Sequence, residues 1–138
     1  MSYVDEGAGE AIPISHGIFG GYDQSFTSLS QVSGDGYRKI SISRFGYPGS
    51  ELPENPKPEN QAKVFNELLD ELGTKQVYIL TTSAGGAAGL RFALNYSARV
   101  KGLILLSSCA PDKQRSADEI KEVGMLEPSQ IIVKNFPM

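Results

Sequence analysis

The sequence predicts an α/β protein, a mostly parallel sheet with helices on both faces. Three observations carry that prediction. Gln76 to Pro111 reads as strand, sharp turn, helix, short loop, strand, a βαβ unit whose crossover is almost always right-handed. Upstream of it two further short strands alternate with helical patterns, giving the order β-α-β-α-β-α-β and four strands in all, which is the pattern of a parallel sheet covered by helices. Finally, His16-Gly17, Arg44-Phe45-Gly46 and Ser83 each fall at the carboxyl end of an expected strand. Ligands bind at those ends in open parallel sheets, so the three groups are expected to cluster.

Taken in order, Met1 to Glu10 are small, acidic and glycine-containing, and read as a loosely packed start. Ala11 to Ser15 is a short apolar strand, although Pro13 lacks an N–H donor and argues against a central place in the sheet. It runs into the glycine-rich loop His16 to Asp23. Gln24 to Val32 is a helix candidate closed by the turn residues Ser33-Gly34-Asp35-Gly36, and Tyr37 to Arg44 alternates as a strand should. Phe45 to Ser50 is a second glycine-containing loop, and the three prolines between Leu52 and Pro58 mark a surface loop.

Glu59 to Gly73 is the clearest helix, with Ala62, Phe65, Leu68, Leu69 and Leu72 on one face and Gly73 as its stop. Val77 to Leu80 suits a buried parallel strand. The small residues Ala84 to Gly89 then let a helix start close against the sheet, with Leu90, Phe92, Ala93 and Leu94 as its apolar side, and Gly102 to Leu106 is the last strand. Beyond Pro111 the pattern fades: Ala117 to Val123 reads as a short charged helix, and Glu127 to Met138 holds an apolar patch of Ile131, Ile132 and Val133.

The 138 residues are 40% apolar and 21% charged, a globular composition with material for one core. A net charge of −3, with no basic stripe, argues against a nucleic-acid binder. No apolar run reaches the length of a membrane span, and no leader pattern opens the chain. Cys109, the one cysteine, reads as a small buried apolar residue, and neither a disulfide framework nor a metal site is expected. A cytoplasmic location and no cofactor are the expectations.

Ser83 stands where a strand ends and a helix begins. Unpaired N–H groups and a partial positive charge at a helix start stabilise an anion formed there. A plain reading also exists, since serine is a common helix cap. A weaker third reading is anion or phosphate binding at the Ser83–Gly86 helix start, though no G-K-[ST] sequence accompanies it.

Thr81-Thr82-Ser83-Ala84-Gly85 resembles the nucleophile elbow G-x-S-x-G of the α/β-hydrolase superfamily, with Thr81 in place of the first glycine. His16-Gly17 with Gly20 resembles that family's HG-x-x-G loop, and Tyr22-Asp23-Gln24 follows as in its esterase-like branch. Ser43 to Ser50 resembles an R-x-G-Y-G-x-S loop, and Leu68 to Gly73 the helix before the nucleophile strand. The resemblance covers nearly the whole chain. It implies the strand order 4-3-5-6 in the family's numbering, with the serine's strand beside that of His16. It also implies that Ser83 is the nucleophile, that the backbone N–H groups of Ile18 and Ala84 form an oxyanion hole, and that His16, Gly17, Gly20, Tyr22 and Arg44 shape the site. The implied reaction is attack on an ester-like carbonyl of a small molecule through an acyl-enzyme.

Three departures qualify that expectation. The family's late histidine and acid are not found: no histidine follows Ser83, and a serine is a poor nucleophile without a base. His16 could be a base or only a loop-shaping residue, and Asp112 a triad acid or only surface charge. Thr81 is expected to crowd the following helix and relax the turn. On this reading residues 1–138 are one domain, the amino-terminal half of a hydrolase, with a core over 11–111 and a cap-like start or tail over 112–138. Its last strand would present an open edge. The expected alternatives are a hydrolase that needs its missing half, and a non-catalytic module, or a homo-oligomer, that pairs through that edge.

Overall fold

The structure is a computed structural model and describes residues 1–108. Cys109, Asp112, the helix expected at Ala117 to Val123 and the patch at Ile131 to Val133 lie outside the described residues. Five strands form one sheet: β1 (Tyr3–Glu6), β2 (Glu10–Ser15), β3 (Tyr37–Ile42), β4 (Val77–Thr82) and β5 (Val100–Leu106). Their spatial order is β1-β3-β2-β4-β5. The last four are parallel neighbours, whereas β1 runs antiparallel to β3. Leaving β1 aside, this is the order implied by the resemblance, with β4 beside β2.

β1 corrects the expectation of a loose start. Its four residues are only half-buried at best, so no hydrophobic pattern announces them. Backbone pairing from Tyr3↔Ile42 to Glu6↔Lys39 holds the strand instead. Arg38 adds a two-pronged bond to Asp5, with Nε to Oδ1 at 2.8 Å and Nη2 to Oδ2 at 2.6 Å. Pro13 brings a second correction, because β2 lies at the centre of the sheet. The β2–β4 register pairs Ala11 with Val77 and then resumes at Ile14 with Leu80, so the ladder skips Ile12 and Pro13, the second of which has no N–H to give.

Helix α1 (Tyr22–Ser33) covers one face of the sheet, while α2 (Pro58–Glu71) and α3 (Gly86–Asn95) pack together on the other. Alternation along the strands sorts the side chains accordingly. Val77 and Ile79 join Ile40, Ile42, Phe65, Leu69 and Phe92 in the larger core. Leu80, Ile12 and Ile14 meet Leu29 of α1. Strands buried on both faces therefore read as apolar runs.

α2 starts with Pro58 in its first turn, where a missing N–H costs nothing. Gly73 ends it at φ +62°. Gly73 N–H donates to Asp70 and Thr74 N–H to Leu69 at 2.8 Å, the paired bonds of a Schellman stop. In α3, Phe92 is fully buried but Leu94 is 69% exposed. Leu94 therefore does not belong to the apolar side expected of it; two residues from Phe92, it is turned about 200° round the helix.

Candidate active site

β4 ends at Thr82, and Ser83 reverses the chain at φ +49° into a short 3₁₀ turn (Ser83–Gly85) that leads into α3. A side chain in this left-handed region is strained, and such strain gathers at functional sites. The turn lies hard against the end of β2. A Cβ on Gly85 would stand 2.1 Å from the Ser15 carbonyl oxygen, so only glycine fits there. Ser15 Oγ, buried, donates to the Gly85 carbonyl at 3.0 Å and ties the turn down.

Thr81 does not relax this turn. It is fully buried, and its methyl fills the space left by Gly89 one helix turn into α3. A Cβ at position 89 would lie 2.1 Å from Thr81 Cγ2. The bulk added at 81 is thus accommodated by the absence of a side chain at 89. The Thr81 hydroxyl meets Ser108 Oγ at 2.6 Å.

His16, Gly17, Arg44 and Ser83 come together as expected. A Cβ on Gly17 would lie 3.5 Å from Ser83 Oγ, which puts the loop after β2 directly beside the serine. The Gly17 carbonyl is held three ways: His16 Nδ1 contacts it at 2.8 Å, Arg44 Nη2 donates at 3.1 Å, and Gly20 N–H donates at 3.3 Å. His16 is 2% exposed, with its Nε2 accepting the Arg44 N–H at 3.0 Å. Those partners require a neutral ring protonated on Nδ1. Burial lowers the His16 pKa, Arg44 lowers it further, and the bond to Gly17 and the charge of Asp23 oppose.

With both nitrogens committed, His16 is a loop-holding residue and has no free nitrogen with which to serve Ser83. The Tyr47 ring stands edge-on to His16 at 4.5 Å and lies under the Arg44 guanidinium at 4.9 Å. Gly20 is required beside this ring, because a Cβ there would come within 2.6 Å of His16. Arg44 therefore holds the loop through the Gly17 carbonyl.

Tyr22 is not among the residues that line the cavity over Ser83; its N–H donates to Ser43 Oγ at 3.1 Å, and its carbonyl accepts from the Ser41 hydroxyl. Gly21 occupies the cap position of α1 without a side-chain bond, and Asp23 lies in the first turn. Sequence reasoning missed Gln61, which is buried on α2 and accepts the Phe45 N–H at 2.7 Å. A polar residue beside the apolar face of a helix was the signal available.

A cavity of about 300 Å³ opens over Ser83, lined by Gly17, Ile18 and Phe19 on one side and by Gln24, Ser25 and Ser28 of α1 on the other. Ile18 and Phe19 are 50% and 81% exposed and make an apolar rim. A larger recess of about 460 Å³ is lined by Ile12, Ser33, Tyr37, Tyr78, Leu80, Ile104 and Leu106; its serine, Ser33, is tied to the Leu29 carbonyl within α1 at 2.7 Å. Among the described residues no three His, Cys, Asp or Glu side chains gather as metal ligands, and no helix is long and apolar enough to cross a membrane.

The family model of the alpha/beta hydrolase fold matches residues 11–128. The chain belongs to the α/β-hydrolase family. An uncharacterized hydrolase of Bacillus subtilis, YcgS, is 31% identical over 124 residues, 90% of this chain and 43% of its own length. A 2-hydroxy-6-oxo-6-phenylhexa-2,4-dienoate hydrolase of Comamonas testosteroni is 28% identical over 77% of this chain and 39% of its own. Among solved structures, an alpha/beta hydrolase fold protein from Nakamurella multipartita superposes with a TM-score of 0.73 at 29% identity, over 86% of this chain and 42% of its own. A thermophilic esterase from Thermogutta terrifontis gives 0.72 at 27% identity, over 82% and 42%. This α/β-hydrolase chain thus spans about two fifths of the length of the relatives it matches.

Proposed function

We propose that these residues are the nucleophile-bearing part of a serine hydrolase acting on ester-like bonds. Ser83 attacks the carbonyl carbon, and the backbone N–H groups of Ile18 and Ala84 receive the developing oxyanion. The observation that carries this reading is Ser83 at φ +49° on a strand-to-helix turn, beneath a cavity that faces Gly17 and Ile18. The trans peptide supports the donor role of Ile18: its N–H points opposite to the Gly17 carbonyl, and that carbonyl is bound to His16, Arg44 and Gly20. Each oxyanion donor is worth about 3 kcal/mol in comparable sites.

The base comes from outside this stretch. The sequence has one histidine, and it is committed to the loop. The chain is therefore weakly active alone, and the relatives' greater length fits a second part that carries histidine and acid. A p-nitrophenyl phosphonate tests this. Slow labelling is expected, accelerated by added imidazole acting as a substitute base and abolished in Ser83→Ala. Labelling that persists in Ser83→Ala would overturn the reading.

A second reading is favoured by β5. Among the described residues it pairs with β4 alone, and Ile104, Leu105 and Leu106 are 39%, 47% and 41% exposed. In this reading the chain is a binding module that associates through that edge. Sedimentation showing a mass independent of concentration, together with turnover dependent on Ser83, would exclude it.

A further inference from the structure

Ser25 stands one turn into α1, 4% exposed, lining the cavity over Ser83, and its hydroxyl has no hydrogen-bond partner. Buried hydroxyls are almost always paired. The usual escape for a helical serine is the carbonyl four residues back, and two hydroxyls of the same helix take it: Thr27 donates to Asp23 at 3.2 Å and Ser33 to Leu29 at 2.7 Å. Ser25 does not, although its own N–H bonds to Gly21 at 3.1 Å. Three residues on, Ser28 lines the same cavity, as does Gln24. Residues three apart share a helix face, so α1 brings two serines to the wall of one space, Ser28 exposed and the Ser25 hydroxyl covered.

The cavity lining includes no charged side chain, and His16 within it is neutral. A carboxylate placed against Ser25 and Ser28, on the side away from Arg44 and the Gly17 loop, would be desolvated with no cationic side chain in the lining, which is costly. A neutral acceptor oxygen faces no such penalty and satisfies the hydroxyl that is otherwise unpaired.

We propose that Ser25 and Ser28 form a specificity subsite for a neutral oxygen (ether, hydroxyl or keto) on the part of the substrate next to the scissile carbonyl. The substrate class becomes oxygen-bearing esters rather than plain alkyl esters. This rests on the assignment of Ser83 as nucleophile. A site built to pair a polar atom discriminates strongly against the analogue that lacks it, because its own group is then left unpaired.

The test uses p-nitrophenyl phosphonates with an n-hexyl chain on phosphorus, and ether isosteres with oxygen at the second, third or fourth chain position. All are run with imidazole present. At least one ether probe is expected to label Ser83 roughly ten-fold faster than hexyl, as a single bond of about 1.4 kcal/mol would give. Ser25→Ala should bring that ratio close to one, and Ser28→Ala should lower it in part. Ser25→Ala should also raise the melting temperature, since it removes an unpaired buried hydroxyl; a hydroxyl with only a structural role would lower it. Equal labelling by hexyl and every ether probe, or a preference that survives in both variants, overturns the subsite and leaves the Ser83 assignment standing. Labelling that survives Ser83→Ala overturns that assignment and the subsite with it.

Discussion

Arg44 Nη2 donates to the Gly17 carbonyl at 3.1 Å, across a separation of 27 residues. The bond fixes one side of a peptide plane whose other side is the Ile18 N–H. Holding the carbonyl toward Arg44 therefore aims that N–H the opposite way. The guanidinium also reaches Tyr47 Oη at 3.3 Å, and burial pulls its pKa down, with Tyr47 opposing.

Replacing Arg44 with Met should remove one of the three bonds on the Gly17 carbonyl, loosen the peptide plane, and slow phosphonate labelling of Ser83 by about ten-fold, short of the roughly 10²–10³ expected for outright loss of one oxyanion donor. Global stability should change little, because loss of the bond is offset by relief of a partly buried charge. Lys at 44 should not rescue the rate, since it lacks the planar fork. Labelling rate and urea midpoint, measured together, check this; a parallel fall in both would mean a structural role only.

The fit of Thr81 over Gly89 predicts a coupled pair. Gly89→Ala alone should destabilise by about 1–3 kcal/mol through overpacking, despite the better helix propensity of Ala. Thr81→Ser removes the methyl and keeps the hydroxyl that meets Ser108. In that background Gly89→Ala should become neutral or stabilising. A double-mutant cycle from denaturant melts measures the coupling, and strict additivity would refute the packing argument.

Gly85→Ala should be the more damaging glycine change. Its Cβ would meet backbone rather than a movable side chain, at 2.1 Å from the Ser15 carbonyl oxygen. A loss of about 3 kcal/mol or more is expected, together with loss of Ser83 labelling. Near-native stability in thermal melts would show that β2 and the turn can separate.

His16 predicts a pH dependence. Its folded pKa is lowered below the ordinary value, first by burial and then by Arg44. Between about pH 6.5 and that lowered value the unfolded chain binds a proton that the folded one does not. Its contribution to stability is therefore complete above about pH 6.5 and is lost as pH falls toward the folded pKa. Protonation would also remove the acceptor for the Arg44 N–H. Urea midpoints from pH 7.5 to 5 should decline in the native chain and decline less in His16→Asn; equal slopes would count against a lowered His16 pKa and a ring held neutral in the fold.

Much of the fold is written in the sequence because its causes are local or periodic. Val77 to Leu80 is apolar along its length because β4 is buried on both faces. Gly73 stops α2 because glycine takes φ +62° at little cost. The strand-to-helix turn at Ser83 was legible because an apolar run precedes it and glycines follow it. What tertiary structure alone decided is how distant residues share space. β1 is held by backbone bonds and by Asp5 with Arg38, none of which leaves an apolar period. Thr81 looked disruptive until Gly89 was placed against its methyl, and His16 lost its candidacy as a base when Arg44 N–H and the Gly17 carbonyl took its two nitrogens. The unpaired hydroxyl of Ser25 likewise has meaning only beside a cavity. A sequence records which groups exist and how they repeat along the chain; which of them touch, and which remain free, depends on packing between distant segments, as between Ser15 and Gly85, 70 residues apart.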